Sequence, residues 1–335
     1  MSNPPPAARL GQMLSGYWIS QGIYVTAKLG LADLLQDRSA TADELAARTN
    51  THPLSLYRLL RMLASMGVFV EDDAKRFSLT EVGQCLRSDV EGSQRAMAIM
   101  SGEEHYRSWC DLLYSVQTGL PAFDKIYGMP VFDWLSQHPE QAANFDAAMV
   151  SVHGRETAAF LKAYDFSGIQ TLADVGGGNG SVLIPTLQAN PHLRGMLFDL
   201  PGVIARATPN FAAAGLLERC QLISGSFFES IPAGADAYMM RHIIHDWNDE
   251  QCLTILKNIH RVLPATGRLL VSESVIPPGN DPFFGKLLDL NMLVIPGGQE
   301  RTAQEYETLF AKAGFKLTRI VPTTTELSII EAFKA

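Results

Sequence analysis

The sequence predicts an α/β protein, a parallel Rossmann-like sheet covered by helices and preceded by a mostly helical N-terminal domain. Three observations carry this expectation. After Gly168, strand-like apolar runs alternate with segments long enough for helices, the βαβ rhythm of a sheet buried on both faces. The first of these runs ends in a glycine-rich turn that leads into a helix from Ser181. Ahead of Gly168, apolar side chains recur at helical spacing instead.

Each element follows in order. From Leu10 to Leu35 the spacing is that of a helix, with Gly30 between Leu29 and Leu31 as a break. Thr41 is placed to cap the next helix, and Glu44 stands three residues on, as in a capping box. Ser55 to Met66 is a second helix carrying Leu56, Leu59, Leu60 and Leu63. Val68-Phe69-Val70, an acidic turn at Glu71 to Asp73, and Arg76-Phe77-Ser78-Leu79 read as a hairpin. Helix, helix and hairpin make a winged-helix pattern across residues 1–100.

DNA binding does not follow from that pattern. Residues 1–100 hold ten Lys/Arg against ten Asp/Glu, and the would-be recognition helix offers only Arg58 and Arg61. Neutralising phosphates needs a basic face. A small-molecule-sensing regulator is a weaker reading for the same reason. An apolar helical domain without chemistry of its own is expected to form a subunit interface.

Residues 101–167 read as a helical connector rich in aromatic side chains: Tyr106, Trp109, Tyr114, Phe123, Tyr127, Phe132, Trp134, Phe145 and Phe160. Most should fill the core. Some are expected to line an apolar acceptor pocket, because such pockets form where domains meet. Residues 168–335 form the sheet domain, with strands at Thr171 to Val175, Gly195 to Phe198, Cys220 to Ile223, Ala235 to Met240 and Arg268 to Ser272.

Composition narrows the class. Of 335 residues, 47% are hydrophobic and 19% charged, which suits a large core. A net charge of −8 disfavours a nucleic-acid partner. Cys85, Cys110, Cys220 and Cys252 lie far apart and read as reduced thiols. Met1 to Gly16 lacks the basic-then-apolar pattern of a signal peptide, and no apolar run is long enough to span a membrane. A soluble, cytoplasmic protein is the expectation.

Chemistry concentrates at the carboxyl ends of the strands, where ligands of such sheets bind. The first strand ends in Asp174-Val175-Gly176-Gly177-Gly178-Asn179-Gly180. Its spacing is neither that of a dinucleotide fingerprint nor that of a phosphate loop. The second ends at Phe198-Asp199-Leu200-Pro201, where a carboxylate can accept both hydroxyls of a ribose, or simply cap the next helix. Together they fit an adenosine ligand without separating S-adenosylmethionine from NAD.

Arg241-His242-Ile243-Ile244-His245-Asp246-Trp247 directly follows a strand. A histidine there faces the ligand crevice and can take a proton from a hydroxyl near neutral pH. Glu273, at the end of the next strand, and Glu300 could orient it. His242 and His245 have a spacing that permits metal binding, but no cysteine or further histidine cluster completes a site, so no metal is expected. Trp247 can stack on an adenine or pack in the core.

At these residues the chain resembles the plant caffeate-type O-methyltransferases and their bacterial relatives in secondary metabolism. The resemblance rests on the glycine turn at 174–180, Asp199-Leu200-Pro201, His245-Asp246-Trp247 and Gly297-Gly298-Gln299-Glu300-Arg301-Thr302, and spans almost the whole length. It implies a class I methyltransferase sheet, a winged-helix dimerisation domain, a homodimer, S-adenosyl-L-methionine as cofactor and a small hydroxylated acceptor. By position it implies His245 as catalytic base with Glu273 and Glu300 supporting it. It places Gly176, Gly178, Asp199, Leu200, Ser226, Phe227, Arg241 and Trp247 at the cofactor. Two residues depart from the plant pattern: Ser226 stands where an aspartate usually meets the adenine amino group, and Arg241 where a lysine is usual. Ile295-Pro296 replaces a polar stretch, which implies a more apolar acceptor rim. Some relatives use the cofactor without moving its methyl, as hydroxylases, decarboxylases or cyclases, so that reaction class is the rival expectation.

Overall fold

Thr41 closes the first capped turn as its sequence implies. Its Oγ1 accepts the Glu44 N–H at 3.2 Å, and Glu44 Oε2 accepts the Thr41 N–H at 2.8 Å, starting the helix Ala42–Thr49. The computed structural model describes residues 4–335 apart from the side chains of Val152, His153 and Arg155. The first residues of the stretch screened for a signal peptide lie outside that range. The chain divides into two units, Met1–Cys110 with Asp133–Val152, and Asp111–Phe132 with His153–Ala335.

In the first unit, the helices Pro6–Leu14 and Gly16–Lys28 lead to Gly30, which adopts φ +64° where the break was expected. The helix Pro53–Ser65 buries Leu56, Leu60 and Leu63 against Leu45, Phe69 and Phe77. The hairpin forms from β2 (Phe69–Glu71) and β3 (Arg76–Leu79), and β1 (Ala40–Thr41) adds a short third strand beside β3.

The second unit is built on a mixed sheet. β4 (Thr171–Val175) has Leu172 in one apolar cluster and Ala173 and Val175 in the other, which is why it shows no polar alternation. β5 (Arg194–Asp199) and β6 (Cys220–Ser224) run parallel to one side of it, and β7 (Ala237–Arg241) and β8 (Arg268–Ile276) to the other. Beyond β8 the direction reverses: β11 (Leu327–Lys334) pairs antiparallel with it, and β10 (Phe315–Pro322) pairs antiparallel with β11. The two-residue β9 (Arg301–Thr302) runs parallel to the end of β8. The order is β10-β11-β8-β7-β4-β5-β6, so β4 lies between strands that lead off in opposite directions. That reversal opens the crevice in which such sheets hold ligands.

Three local details differ from the sequence expectation. The helix after the glycine turn starts at Leu183 and not at Ser181, because Ser181 and Val182 complete the turn. β7 begins two residues later than expected, at Ala237. β8 continues to Ile276, because Ser328 and Leu327 of β11 pair opposite Glu273 and Ser274 and β9 pairs with Val275 and Ile276. Among the described residues, no helix is long and apolar enough to cross a membrane.

Candidate active site

β4 delivers the chain into Gly176 at φ +72° and Gly178 at φ +58°, left-handed conformations that glycine adopts at little cost. A Cβ on Gly176 would lie 2.4 Å from Ile243 Cδ1, so the turn packs directly beneath the loop after β7. A Cβ on Gly178 would meet nothing within 4 Å. The turn is therefore open on that side. At the end of β5, Asp199 Oδ2 accepts the Gly178 N–H at 2.9 Å and Oδ1 accepts the Leu200 N–H at 2.7 Å. Leu200 is exposed at the head of the helix Pro201–Ala213.

The third wall comes after β6. Ser226 Oγ accepts the Phe228 N–H at 3.3 Å, closing a small turn that sets Phe227 and Phe228 side by side. Trp247 meets both rings edge-on, with centroids 6.0 Å and 4.8 Å away, and Phe132 leans on it at 5.6 Å. The indole Nε1–H of Trp247 is buried without a hydrogen-bond partner, a donor left for an acceptor group. The open face at Gly178, the strand-end carboxylate and this orphan donor together suit a nucleoside with a polar tail.

Beneath the turn lies a group whose role the sequence did not reveal. Asp174 is buried, and burial pushes its carboxyl up to about 7, with Asp199 adding and Arg241 opposing. Arg241, at the end of β7, is also buried; it donates to Thr157 Oγ1 at 2.9 Å and to Ser181 Oγ at 3.4 Å. Burial lowers its guanidinium, and Glu156, Asp174 and Glu273 counter that. Thr157 stands 84 positions away in sequence, and nothing in the linear pattern links it to Arg241.

The loop after β7 is shaped by His242, whose φ of +55° is unusual for a residue other than glycine. The turn aims two successive N–H groups, of Ile243 and Ile244, at Glu273 Oε1, at 2.9 and 3.0 Å. Such a pair is a nest for an anion. His242 itself reaches Glu156 Oε2 through Nε2 at 3.0 Å. His245 lies in the short 3-10 turn Ile244–Asp246, buried, with Nδ1 2.6 Å from Glu300 Oε1 and 3.5 Å from Glu273 Oε2. The structure thus brings together the three residues singled out from sequence.

Glycine and arginine explain the segment that carries Glu300. A Cβ on Gly298 would lie 1.9 Å from the His245 carbonyl oxygen, so the two backbones touch there, and the Gln299 N–H donates to that oxygen at 2.9 Å. Arg301 is fully buried and ties down the same turn, donating to the carbonyls of Ile244 and Trp247 at 3.1 and 3.2 Å and to Asp249 at 2.9 Å. Asp289 Oδ1 accepts the Glu300 N–H at 2.9 Å.

Electrostatically the pocket is strongly acidic. Burial opposes charge on His245, but the Glu273, Asp246 and Glu300 carboxylates outweigh it and hold the imidazole up at about 10. Burial raises Glu273, with His245 and His242 pulling it back. Burial lifts Asp246 to about 6 against the pull of His245. His242, His245 and Glu273 bring ligand-type atoms within 4.8 Å of one another. However, His245 Nδ1 is committed to Glu300 and Glu273 Oε1 to two backbone N–H groups, so no metal site is assigned.

A mixed sheet with a parallel core, an open glycine turn, an acidic second strand end and a buried histidine–carboxylate cluster defines a nucleoside-binding group-transfer fold. Within that class the comparisons are specific: an O-methyltransferase domain matches residues 109–316 and an O-methyltransferase dimerisation domain residues 12–89. The chain belongs to the O-methyltransferase family. It is 46% identical to the phenazine O-methyltransferase PhzM of Lysobacter antibioticus over 98% of this chain and 96% of that protein. The solved structure of LaPhzM superposes with a TM-score of 0.95 at 45% identity, covering 99% of this chain and all of that one. The neocarzinostatin O-methyltransferase NcsB1, solved with S-adenosylmethionine and 2-hydroxy-5-methyl naphthoic acid, gives a TM-score of 0.85 at 32% identity over 94% of this chain and 96% of that one.

Proposed function

We propose that this enzyme transfers the methyl group of S-adenosylmethionine to a hydroxyl oxygen of a small aromatic or polyketide-like metabolite. The observation that carries the reading is the His245 ring, buried in the loop after β7 and held at Nδ1 by Glu300, with Nε2 3.5 Å from Asp246 Oδ1. Bound, the cofactor supplies an electrophilic methyl on a sulfonium sulfur. Gly176 and Gly178 let the backbone approach it, Asp199 and Leu200 take its ribose side, and Ser226, Phe227 and Trp247 flank its adenine. Arg241 braces the turn from below through Ser181.

His245 takes charge of the acceptor's proton, so that the oxygen presents a lone pair to the methyl carbon. Glu300 fixes the tautomer, and Glu273, seated in its nest, stabilises the imidazolium. Positioning two reactants in a dry site can lower the barrier by about 7–11 kcal/mol, and proton management adds about 10²–10⁴-fold. A second copy of the chain is expected to pack on the N-terminal unit.

The test is incubation of the purified protein with methyl-labelled S-adenosylmethionine and a panel of hydroxylated aromatics. Label recovered as an O-methyl ether supports the reading. Label on nitrogen would move the chain to N-methylation. Turnover of the acceptor with the methyl still on the cofactor would replace transfer with the hydroxylase, decarboxylase or cyclase class.

A further inference from the structure

Among the described residues, three other than glycine carry a positive φ: Asn50, Lys75 and His242. Asn50 ends the helix Ala42–Thr49 and Lys75 lies in the turn between β2 and β3; both are exposed, at a helix end and a hairpin turn that use this conformation routinely. His242 is different. It stands directly after β7, and its side chain is only 14% exposed. A left-handed residue with a bulky side chain persists only where its surroundings hold it, and such strain collects at functional sites.

The strained turn puts the Ile243 and Ile244 N–H groups on Glu273 Oε1, at 2.9 and 3.0 Å. Glu273 Oε2, buried and without a hydrogen-bond partner, is left 3.5 Å from His245 Nδ1. The backbone of His242 is held only loosely, its N–H reaching the Ser272 carbonyl at 3.4 Å. The ring is held better, with Nε2 3.0 Å from Glu156 Oε2. An ionised carboxylate only accepts, so the Nε2–H donates to it. Glu156 belongs to the helix Pro139–Ala163, and its side chain is as well covered as that of His242. A carboxylate so far out of water needs a donor. Arg241, its charged neighbour, donates to Thr157 and Ser181 instead.

On the methyltransferase reading above, we propose that Glu156 is a positioning residue for the transfer. It holds the His242 ring, the ring holds the left-handed turn, the turn holds two N–H groups on Glu273, and Glu273 sets His245. Without the carboxylate the turn relaxes toward negative φ, the Ile243 and Ile244 N–H groups swing off, and Glu273 Oε1 is left buried and unpaired. The effect reaches His245 through two intermediate residues. It therefore falls on turnover, while the glycine turn and the strand-end Asp199 that face the cofactor stay as they are.

The experiment compares the full-length parent with Glu156→Ala, Glu156→Gln, His242→Gly and the Glu156→Ala/His242→Gly pair. Glu156→Leu, which fills the space without the carboxylate, replaces the alanine variant if that one does not fold. Methyl transfer to an acceptor from the panel above, calorimetry with S-adenosylhomocysteine, and hydrogen exchange at the Ile243 and Ile244 amides are measured for each. Glu156→Ala should lower kcat by about 10–10²-fold, with acceptor KM and S-adenosylhomocysteine affinity within a few fold. Glu156→Gln, whose amide oxygen still accepts the Nε2–H, should recover most of that loss. Exchange at the two amides should quicken in Glu156→Ala while the β7 amides keep the parental rate. Glycine adopts the turn unaided, so Glu156→Ala should cost less than about twofold where His242 is already glycine. A loss of the same size in that background, a glutamine variant as slow as alanine, parental exchange in Glu156→Ala, or a change in acceptor KM alone would overturn the positioning role. Absence of methyl transfer by the parent would instead overturn the methyltransferase reading, and the exchange rates would still decide whether Glu156 holds the turn.

Discussion

Gly298 lies beneath His245 and illustrates how single residues set this site. With a Cβ only 1.9 Å from the His245 carbonyl oxygen, Gly298→Ala must push the two backbones apart. Overpacking of this kind costs about 1–3 kcal/mol, and the shift separates His245 from Glu300. The variant should lose both thermal stability and turnover, and a normal melting temperature with normal turnover would refute the contact. Titration gives a second residue-scale expectation. Asp174 at about 7, Asp246 at about 6 and His245 at about 10 all lie above their ordinary 3.8 or 6.5. The folded protein therefore keeps protons that the unfolded chain has released. The stability these three groups contribute is present in full at low pH and is lost as pH rises, from 3.8 to about 7 through the carboxyls and from 6.5 to about 10 through the imidazole. Urea midpoints of the cofactor-free protein should fall across the upper range, and His245→Gln should flatten that fall. His245 was legible in sequence because it follows a strand at the sheet's carboxyl edge, and Glu273 because it lies near the end of the next one, whereas Glu300, just ahead of the two-residue β9, was read from its Gly297–Thr302 segment. Asp174, Thr157 and Glu156 were not assigned: their partners come from other elements, and their spacing has no period to reveal them.

At the level of elements, the glycine turn divides into supporting and open positions. Gly176 is filled from behind by Ile243, whereas Gly178 faces empty space. Gly178→Ala accepts a left-handed strain of about 1–2 kcal/mol, but its methyl projects toward the proposed cofactor side. Calorimetry should show S-adenosylhomocysteine binding weakened by more than the loss of fold stability explains. Unchanged affinity would move the cofactor elsewhere. The parallel strands, the capping box at Thr41 and the hairpin at Phe69 to Leu79 could be read from the chain because local pattern determines them. The antiparallel pair β10 and β11 was not. In β10 only Phe315 is fully buried, so it lacks the continuous apolar run that marked β4 and β7. The extension of β8 through Glu273 depends on that pair and stayed hidden with it.

At the scale of the whole molecule, the N-terminal helices carry a face that this chain alone does not cover. Leu10, Met13, Leu14, Tyr17 and Trp18 are all more than half exposed, and the helix Pro6–Leu14 buries none of its residues. Apolar faces of this kind mark association sites, and the dimerisation domain matched at residues 12–89 includes most of them. Light scattering should return about twice the chain mass of 36.7 kDa, and a monomer at micromolar concentration would contradict the assignment. The central claim is that His245 serves the transfer and not the holding of the cofactor. The direct measurement pairs calorimetric binding of S-adenosylhomocysteine with single-turnover methyl transfer for His245→Ala beside the parent. The account predicts binding within a few fold of the parent and transfer slower by about 10²–10⁴. Transfer at the parental rate, with binding intact, would contradict it.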